Sequence, residues 1–413
     1  MTHYDTVVSQ RRLPNTFRSL RHRNFRLFWL SQILSLSGTW MQAVAKGWLI
    51  LRITNSPFAL GYITFIGMLP ALPAALIGGA IIDRLPKRKL ILITQTGLLL
   101  QALALAALAA SGQIQVWHLI LLECVWGTLG AIDLPARQSF VIEMVGPDDL
   151  TNAIALNASV FNAARAFGPA IGGLLLGWVG EAGCFFINGL TFLAVIGGLL
   201  LMRIEDRAAE RDRKAIGRSM IDGFGYVLRQ PLILGLLSLM AVTGLFGTPY
   251  INLMPVFARD VLVVGERGLG FLMAAVGVGA MLGALGVANM RHGHRGRWLV
   301  TGSMIFPIML IAFAALPQFG PALIVLVLAG TAFIMQQSLV NTLLQLIVDD
   351  RMRGRIMSLY GLLFIGVQQA GNLVAGGAAQ LWGAPITIAA GAMICMVFAA
   401  GLFVRSPTIR RLE

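Results

Sequence analysis

Long apolar stretches alternate with short, mostly basic polar segments along almost the whole chain. Twelve of these stretches approach or exceed the roughly 20 residues that an α-helix needs to cross the hydrocarbon core of a bilayer. Their approximate ranges are 27–51, 58–82, 90–111, 117–136, 151–178, 184–202, 232–257, 268–290, 299–316, 322–346, 356–380 and 385–404. The pattern predicts an all-α integral membrane protein with twelve transmembrane helices.

The composition excludes a soluble domain of this size. Hydrophobic residues make up 57% of the 413 positions and charged residues only 12%, which is more apolar surface than a soluble core could hide. The first stretch is too long for a signal-peptide core and lacks a small-residue cleavage site, so we expect it to remain as a membrane helix. Cys124, Cys184 and Cys395 lie far apart without CxxC spacing, which predicts packing roles and neither disulfides, a metal site nor a cofactor.

Basic residues mark alternate connections between the spans. If both termini lie in the cytoplasm, the outer connections hold only Arg52, Arg259 and Arg267, whereas basic clusters occupy every inner segment. This asymmetry is the positive-inside pattern of membrane proteins, and it accounts for the formal charge of +14 without nucleic acid as a partner. Four tryptophans fall near predicted outer ends, where an indole ring favours the interface: Trp48, Trp117, Trp178 and Trp382.

A charged linker divides the chain into two related halves. We expect a cytoplasmic N-terminal segment over 1–26, a six-helix bundle over 27–203, a linker over 204–230, a second six-helix bundle over 231–404 and a cytoplasmic tail over 405–413. A shift of 204 residues superposes Gly172-Gly173 on Gly376-Gly377, and a slightly different shift superposes Leu60-Gly61 on Leu269-Gly270. Such duplications build two pseudo-symmetric bundles that rock around a central site, although glycine-rich helices also match by chance.

Two segments resemble a known transporter family. The loop GGAIIDRLPKRKL at 78–90 resembles the loop signature of the major facilitator superfamily, with Pro86 where the family has glycine. The stretch from Asp133 to Gly173 resembles the branch of that superfamily that contains macrolide-efflux proteins and the enterobactin exporter. The resemblance implies a multi-pass secondary transporter of the bacterial inner membrane that works by alternating access.

Matching positions suggest a gate and a packing motif. Asp83 and Arg84 lie where the second helix leaves the membrane. Together with Gly79 and Arg88 they are candidates for a latch that forms only when the cytoplasmic side of the transporter is closed. The alternative is a solvated basic turn that sets the topology. The fifth helix carries a motif that resembles the one in the superfamily's exporters and that we expect to pack closely against another helix: Arg165, Gly168, Pro169, Gly172 and Gly173.

Polar side chains form stripes on the first and tenth helices. On the first helix they follow steps of three or four residues, which places them on one face. The resemblance implies that helices 1, 4, 7 and 10 line the cavity, which makes these stripes the candidate substrate site, although interhelical hydrogen bonding would explain them equally well. The candidate cavity residues are Ser35, Thr39, Gln42, Lys46, Gln337 and Asn341.

Few ionisable residues lie inside the spans, and each is costly there. The spans of the second half from the eighth onward contain no acidic residue, so we expect a proton-coupling carboxylate at Glu123 or Asp133. Arg165 is the expected partner of Asp133. Lys46 and Glu123 lie about 7.5 Å and about 9 Å inside their outer helix ends at 1.5 Å per residue, and this matching depth predicts an ion pair.

The sequence therefore predicts proton-coupled export of small amphipathic organic molecules of drug or siderophore type. Uptake by symport or facilitation, or a non-transporting membrane sensor, are the alternatives, because one fold serves many functions. HExxH, GxSxG and phosphate-loop motifs are absent, so we do not expect an enzyme. The expected partners are the substrate, protons and the lipid bilayer, and we expect a monomer.

Overall fold

The computed structural model describes residues 15–82, 85–204, 224–290 and 294–410, and its regular elements are all helices. A 3₁₀ helix at Asn15–Arg21 precedes the first α-helix. In chain order the α-helices are α1 (Arg23–Thr54), α2 (Pro57–Met68), α3 (Ala71–Ile82), α4 (Lys87–Ala110), α5 (Val116–Leu200), α6 (224–229), α7 (Pro231–Val242), α8 (Met254–Val256), α9 (Gly265–Ala288), α10 (Arg295–Ala315), α11 (Phe319–Ile347), α12 (Asp350–Trp382), α13 (Ala384–Arg405) and α14 (Pro407–Arg410).

The 85-residue helix α5 is three segments joined at two glycines. A straight helix of that length would extend about 130 Å, several times the thickness of a bilayer. Gly146 (φ 73°) and Gly180 (φ 68°) adopt left-handed backbone angles that glycine reaches without strain, and the chain bends there. We name the segments α5a (116–145), α5b (147–179) and α5c (181–200). They match the predicted fourth, fifth and sixth spans.

The membrane fold predicted from hydropathy is confirmed. Within the described residues, nine helical stretches are long and apolar enough to cross a bilayer, and α5 counts as one of them. Helix α1 is not among the nine, because its stripe of serine, threonine and glutamine lowers its mean hydropathy. Division of α5 at its glycines, together with α1, is compatible with twelve crossings, which stay a prediction.

The apolar core divides differently at the two ends of the bundle. At the end that holds the 3₁₀ helix and the start of α7, each half has its own cluster, one around Phe140 and one around Leu343. At the other end a single cluster runs from Met41 in α1 to Phe333 in α11 and joins both halves. We call these the basic end and the opposite end. The halves are therefore packed together at the opposite end.

Close backbone contacts at glycines join the halves in two places, between α5b and α9 and between α2 and α12. A Cβ added to Gly173 in α5b would lie 2.2 Å from the Cα of Gly270 in α9. A Cβ added to Gly61 in α2 would lie 2.1 Å from the carbonyl oxygen of Asn372 in α12. Small residues permit this close approach of helix backbones in a membrane. Of the glycines that the internal repeat superposes, Gly61, Gly173 and Gly270 thus lie at contacts between the halves, whereas Gly172 packs against Met41 in its own half.

Side-chain hydrogen bonds also connect the halves at the opposite end. The guanidinium of Arg259 donates to the carbonyl oxygen of Leu51 at 3.0 Å and to Oδ1 of Asn55 at 2.7 Å. Ser56 donates to Oε1 of Gln380 at 2.7 Å. These bonds attach the connection between α1 and α2 to the second half, which closes the bundle there.

The basic residues predicted on the outside have structural partners. Besides Arg259, Arg52 donates to Oε1 of Glu181 at 2.8 Å, and the stem of Arg267 packs on Gly177. The predicted interfacial tryptophans are largely exposed, with one exception. Trp48 is only 8% exposed and lies in the shared core, so its placement at the interface was wrong. The position of Trp48 near the end of α1 could not show that its side chain packs into the protein core.

The 3₁₀ helix is fastened to the bend between α5a and α5b. Asp149, which lies at this bend outside the membrane-spanning segments, accepts from Arg18 and lies 2.8 Å from Nη2 of Arg21 and 2.7 Å from Nε2 of His22. The hydrogen bond with His22, with help from both arginines, holds the pKa of the Asp149 carboxyl below its usual range. Ser19, fully buried, donates its Oγ proton to the Asp149 carbonyl at 3.0 Å.

Because the folded-state pKa of Asp149 is lowered, the attachment is favourable above the usual carboxyl pKa and weakens as the pH falls through the lowered value. We expect Asp149→Asn to speed hydrogen exchange of residues 15–22 several-fold at neutral pH, measured by mass spectrometry. Asp148→Asn is the matched control, because that neighbour is exposed and only its carbonyl oxygen contacts Arg18. Equal exchange in the two variants would contradict this role of the carboxylate.

Candidate functional site

A buried ion pair joins the first helix to α5a. Nζ of Lys46 lies 2.6 Å from both carboxylate oxygens of Glu123. The two side chains are 15% and 7% exposed. The pair predicted from helix depth is therefore present. Its geometry is that of a charge-assisted, bidentate hydrogen bond in a weakly solvated site, where each charge offsets the burial of the other.

An aromatic ring provides a second contact for the lysine. Nζ of Lys46 lies 5.4 Å from the centroid of the Trp126 ring, within the range of a cation–π interaction. Trp126 stands one helical turn after Glu123 and packs against Leu98 and Phe192. The lysine thus has one ionic and one aromatic partner. The three-residue spacing from Glu123 was the signal that sequence reasoning overlooked.

Helix α2 passes directly over the stem of Glu123. A Cβ added to Gly67 would lie 2.1 Å from Cγ and 2.7 Å from Cβ of Glu123. One added to Gly127 would lie 2.5 Å from the carbonyl oxygen of Gly67. Sγ of Cys124 lies 3.7 Å from the carbonyl oxygen of Ile66. Two glycines therefore let α2 and α5a touch backbone to backbone beside the ion pair.

The second candidate carboxylate has a denser set of partners. Asp133 accepts from Oγ1 of Thr94 at 2.5 Å and from Nε2 of Gln95 at 3.0 Å. Nε of Arg137 lies 2.5 Å from its other oxygen, as an ion pair rather than an aligned hydrogen bond. The expected pairing of Asp133 with Arg165 was wrong. Arg137 was overlooked because the predicted span ended at residue 136, whereas α5a continues to 145.

The two carboxylates differ in chemical capability. Arginine stays protonated in proteins, so Arg137 is a permanent positive charge beside Asp133, and two neutral donors add to it. Among the described residues Glu123 has one ionic partner, the lysine Lys46. A carboxylate with one flexible cation can exchange its partner for a proton more readily than one bound by three groups.

Part of the first-helix stripe serves packing inside the N-terminal half. Gln42 donates to Oε1 of Gln101 at 3.3 Å and accepts from Nδ2 of Asn188 at 2.7 Å. Ser35 is only 2% exposed, and the hydroxyl of Thr39 donates to its carbonyl oxygen at 2.9 Å. The amide of Gln42 is thus already bonded to two other helices, which favours the interhelical alternative for this residue. Lys46 is the residue of this stripe with an ionic role.

The polar side chains of the tenth predicted helix differ in their hydrogen bonding. Gln336 donates to Oγ1 of Thr243 at 2.8 Å and links α11 to the seventh predicted span. Gln337 is 6% exposed, and in the described part of the chain neither of its amide atoms has a hydrogen-bond partner. Asn341 is partly exposed and accepts from Nε2 of Gln345 at 2.6 Å. Gln337 keeps a free donor and a free acceptor, as a ligand-binding residue would.

The predicted seventh span is irregular in its second part. It passes through a π-helical stretch at Thr243–Gly247, a 3₁₀ stretch at Thr248–Tyr250 and a second π-helical stretch at Phe257–Val261. The hydroxyl of Tyr250 and Nδ2 of Asn252 are buried without a hydrogen-bond partner among the described residues. Broken helices with free polar groups are typical of transporter binding sites. The span predicted over 232–257 is present as one helical stretch, Pro231–Val261, but hydropathy did not reveal the change of helix type near Pro249 and Pro255.

The predicted gate is only partly described. Asp83 and Arg84 lie outside the described residues, and Gly79 is part of helix α3. Arg88 donates from Nε to the Leu199 carbonyl at 2.9 Å and from Nη2 to that of Leu200 at 3.2 Å. These bonds cap the last turn of α5c, where a cation also meets the negative end of the helix dipole. Its gating role stays a prediction.

The glycine motif of the fifth predicted helix lies between two helices. A Cβ added to Gly168 would lie 2.7 Å from Cβ of Trp40, and one on Gly172 would lie 2.8 Å from Cα of Met41, both in α1. The other face of α5b meets α9 through Gly173. Pro169 lies inside the same helix, and Arg165 is half-buried one turn before it. The motif thus joins α1, α5b and the second half in one contact.

Metal-binding chemistry finds no support in the described ranges, where histidine, cysteine and acidic residues form no group of three suited to a metal ion. The cysteines are free thiols, two of them buried. The charged and polar groups above are therefore the candidate chemistry of this protein.

The sequence of this chain matches a known protein family and several known proteins. Residues 14–413 match the family model described as "Transmembrane secretion effector". The chain is 28% identical over 393 residues to the multidrug efflux pump Tap of Mycolicibacterium fortuitum, covering 91% of this chain and 94% of that protein. It is 26% identical over 344 residues to the enterobactin exporter EntS of Shigella flexneri, covering 82% of this chain and 81% of EntS.

The fold is also similar to the folds of solved transporters. A bacterial homologue of the human lysosomal transporter Spinster, in an inward-facing and unoccupied conformation, superposes with a TM-score of 0.72 at 16% identity, over 94% of this chain and 99% of that chain. The resemblance inferred from the loop at 78–90 is confirmed. The chain belongs to the transmembrane secretion effector family of the major facilitator superfamily of transporters.

Proposed function

We propose that this transporter exports small amphipathic organic molecules of drug or siderophore type and that protons drive it. Tap is named as a multidrug efflux pump and EntS as an enterobactin exporter, which supports this class of cargo. The observation that carries proton coupling is the buried pair of Lys46 and Glu123, bonded at 2.6 Å.

In the proposed mechanism a proton replaces Lys46 as the partner of the Glu123 carboxylate. The proton adds to one carboxylate oxygen, the hydrogen bond from Nζ breaks, and the lysine is left as an unneutralised charge. An isolated charge is costly in a weakly solvated site, so this state favours a rearrangement that hydrates the lysine or brings it another partner. The Trp126 ring stabilises the lysine in the interval, because it lies 5.4 Å from Nζ.

We assign the proton to Glu123 and a structural role to Asp133. Protonation of Asp133 would forfeit an ion pair with Arg137 and disturb two further hydrogen bonds. Protonation of Glu123 disrupts a single ion pair. The lower number of competing donors makes Glu123 the better site for a reversible proton.

The substrate is proposed to bind between the halves, near Lys46 on one side and Gln337 and the irregular part of the seventh span on the other. Apolar walls with a few well-placed polar groups suit an amphipathic ligand. Gln337 and Tyr250 have polar atoms without protein partners, and these atoms could bond to a ligand.

The basic end is proposed to face the cytoplasm of a bacterial cell, with the protein in the inner membrane. The distribution of arginine and lysine supports this orientation. The opposite end, where Arg259 and Ser56 connect the halves, would then face outward and be closed.

Glu123→Gln tests the proton site. Because glutamine cannot titrate, we expect proton-driven efflux to fall to background and the remaining transport to lose its pH dependence. The measurement is toxin accumulation in an efflux-deficient bacterium and flux in proteoliposomes, each with and without a protonophore. Asp133→Asn is the control and should keep the pH dependence. Wild-type rate and pH dependence in Glu123→Gln would place the proton site elsewhere.

Stability measurements test the pair itself. Removal of one partner of a buried ion pair costs about 3–5 kcal/mol, and removal of both is milder. Lys46→Met and Glu123→Leu should each lower the thermal unfolding midpoint in one detergent more than the double variant does. Arg52 and Glu181 form the matched control pair, whose arginine is 54% exposed, and its loss should cost about 1 kcal/mol or less. A double variant as unstable as the sum of the singles would show that the two charges do not interact.

Reporter fusions test the orientation. Fusions after Gly112 and Gly320 should report the outside, and fusions after Lys89 and Arg213 should report the cytoplasm. Paired reporters that are active on opposite sides of the membrane give a positive signal in either case. One reversed site would contradict the twelve-span topology.

A further inference from the structure

Helix α2 lies between the ion pair and the second half of the protein. On one face Gly67 contacts the stem of Glu123, where an added Cβ would lie 2.1 Å from Cγ. On another face Gly61 contacts α12, where an added Cβ would lie 2.1 Å from the Asn372 carbonyl oxygen and 3.0 Å from Cα of Leu373. The two glycines are six residues apart, which separates them by about 9 Å along the helix and about 120° around it. One short helix therefore touches both the charged site and the closure.

The two ends of α2 differ. Its N-terminus follows Asn55, which adopts a left-handed φ of 50°, and Ser56, whose hydroxyl caps the helix at Ala59 N. Its C-terminus is at Met68, Leu69 keeps right-handed helical angles, and α3 begins at Ala71. The span predicted over 58–82 is supported, because Pro57–Ala75 is one apolar helical stretch long enough to cross a bilayer. Pro70 lies inside this stretch and removes a backbone donor there.

The influence of Glu123 on α2 is steric rather than electrostatic. The charged group that faces its carboxylate is Lys46 of α1, and the Trp126 ring and the Cys124 thiol adjoin it on its own helix. From α2 the residue shown against the Glu123 stem is Gly67, which has no side chain, and the Ile66 carbonyl oxygen contacts the Cys124 thiol. A change in the position of the Glu123 stem is therefore transmitted to α2 by direct contact.

We propose that Gly67 is a positioning residue for Glu123 and that α2 transmits the state of the Lys46–Glu123 pair to its contact with α12. This inference rests on the proposed proton site. When Glu123 is ionised and bonded to Lys46, its stem occupies the space over Gly67, and α2 packs against Asn372. When a proton releases Lys46, the stem moves, α2 follows, and the closure at the opposite end loosens.

The pH profile of transport tests the positioning role. Gly67→Ala puts a methyl group where Cγ of Glu123 lies, so it should weaken the bond to Lys46 and shift the pH midpoint of transport measurably. Gly130→Ala is the matched control, because it makes the same substitution on α5a, the helix of Glu123, where an added Cβ would meet nothing within 4 Å; it should leave the midpoint unchanged. Equal midpoints in the two variants would overturn the positioning role.

A distance measurement tests the transmission. Spin labels at the exposed positions Tyr62 on α2 and Leu381 on α12, with the native cysteines replaced by alanine, are measured by pulsed EPR at high and low pH. We expect the distance distribution to change with pH, and this change to vanish with Glu123→Gln. This arm does not require Gly67→Ala to fold.

The outcomes separate the two proposals. If Glu123→Gln abolishes the pH dependence of transport but the distance between the two labels still responds to pH, the proton site is supported and transmission through α2 is contradicted. If Glu123→Gln leaves the pH dependence of transport intact, both the proton site and transmission through α2 are contradicted. A thermal-stability loss from Gly67→Ala that becomes smaller in a Glu123→Ala background supports the contact with Cγ, and a loss that persists unchanged contradicts it.

Discussion

A charge inside a bilayer has to be neutralised by a partner within reach, and this constraint organises the N-terminal half. Lys46 and Glu123 pair across two helices, and Asp133 pairs along its own helix with Arg137. Each pair connects neighbouring helices or adds to a network that does. The proposed proton site follows from a difference between them in the number of partners that hold the carboxylate, because a carboxylate with fewer partners exchanges one for a proton more readily.

Backbone contacts through glycine set where the halves meet. Leucine side chains gain little from meeting each other in lipid, so close approach of backbones is what holds membrane helices together. Gly173 on Gly270 and Gly61 on Asn372 place these contacts between α5b and α9 and between α2 and α12. The same property makes the interface adjustable, since a smooth glycine surface has no side chains that must be withdrawn before the helices shift.

The charged site and the interface between the halves are not independent. Gly67 lies beside Glu123 and Gly61 lies at the interface, and both belong to the 12-residue helix α2. A transporter needs such a link, because a proton that binds without affecting the closure performs no work. In the proposed substrate site, the amide of Gln337 and the hydroxyl of Tyr250 lie in the other half and have no hydrogen-bond partner among the described residues.

Several features could be predicted from the sequence because they depend on each residue's own chemistry or on helix geometry. The apolar stretches predicted the membrane helices, the motif at 78–90 predicted the family, and rise per residue predicted that Lys46 and Glu123 share a depth. The glycine repeat pointed to three of the glycines that lie at contacts between the halves. Each of these follows from local composition or from counting along one helix.

Other features depended on which helices become neighbours, and the sequence could not specify them. Asp133 accepts a hydrogen bond from Thr94 of α4, Gln42 accepts one from Asn188, and Trp48 lies in the apolar cluster that both halves share. The role proposed for Gly67 depends on the side chain opposite it, that of Glu123. The sequence by itself determined the membrane helices, because transfer free energy adds up residue by residue, and its motifs indicated the family; the tertiary structure decided most side-chain partners, because a hydrogen bond depends on distances between helices that are far apart in the chain.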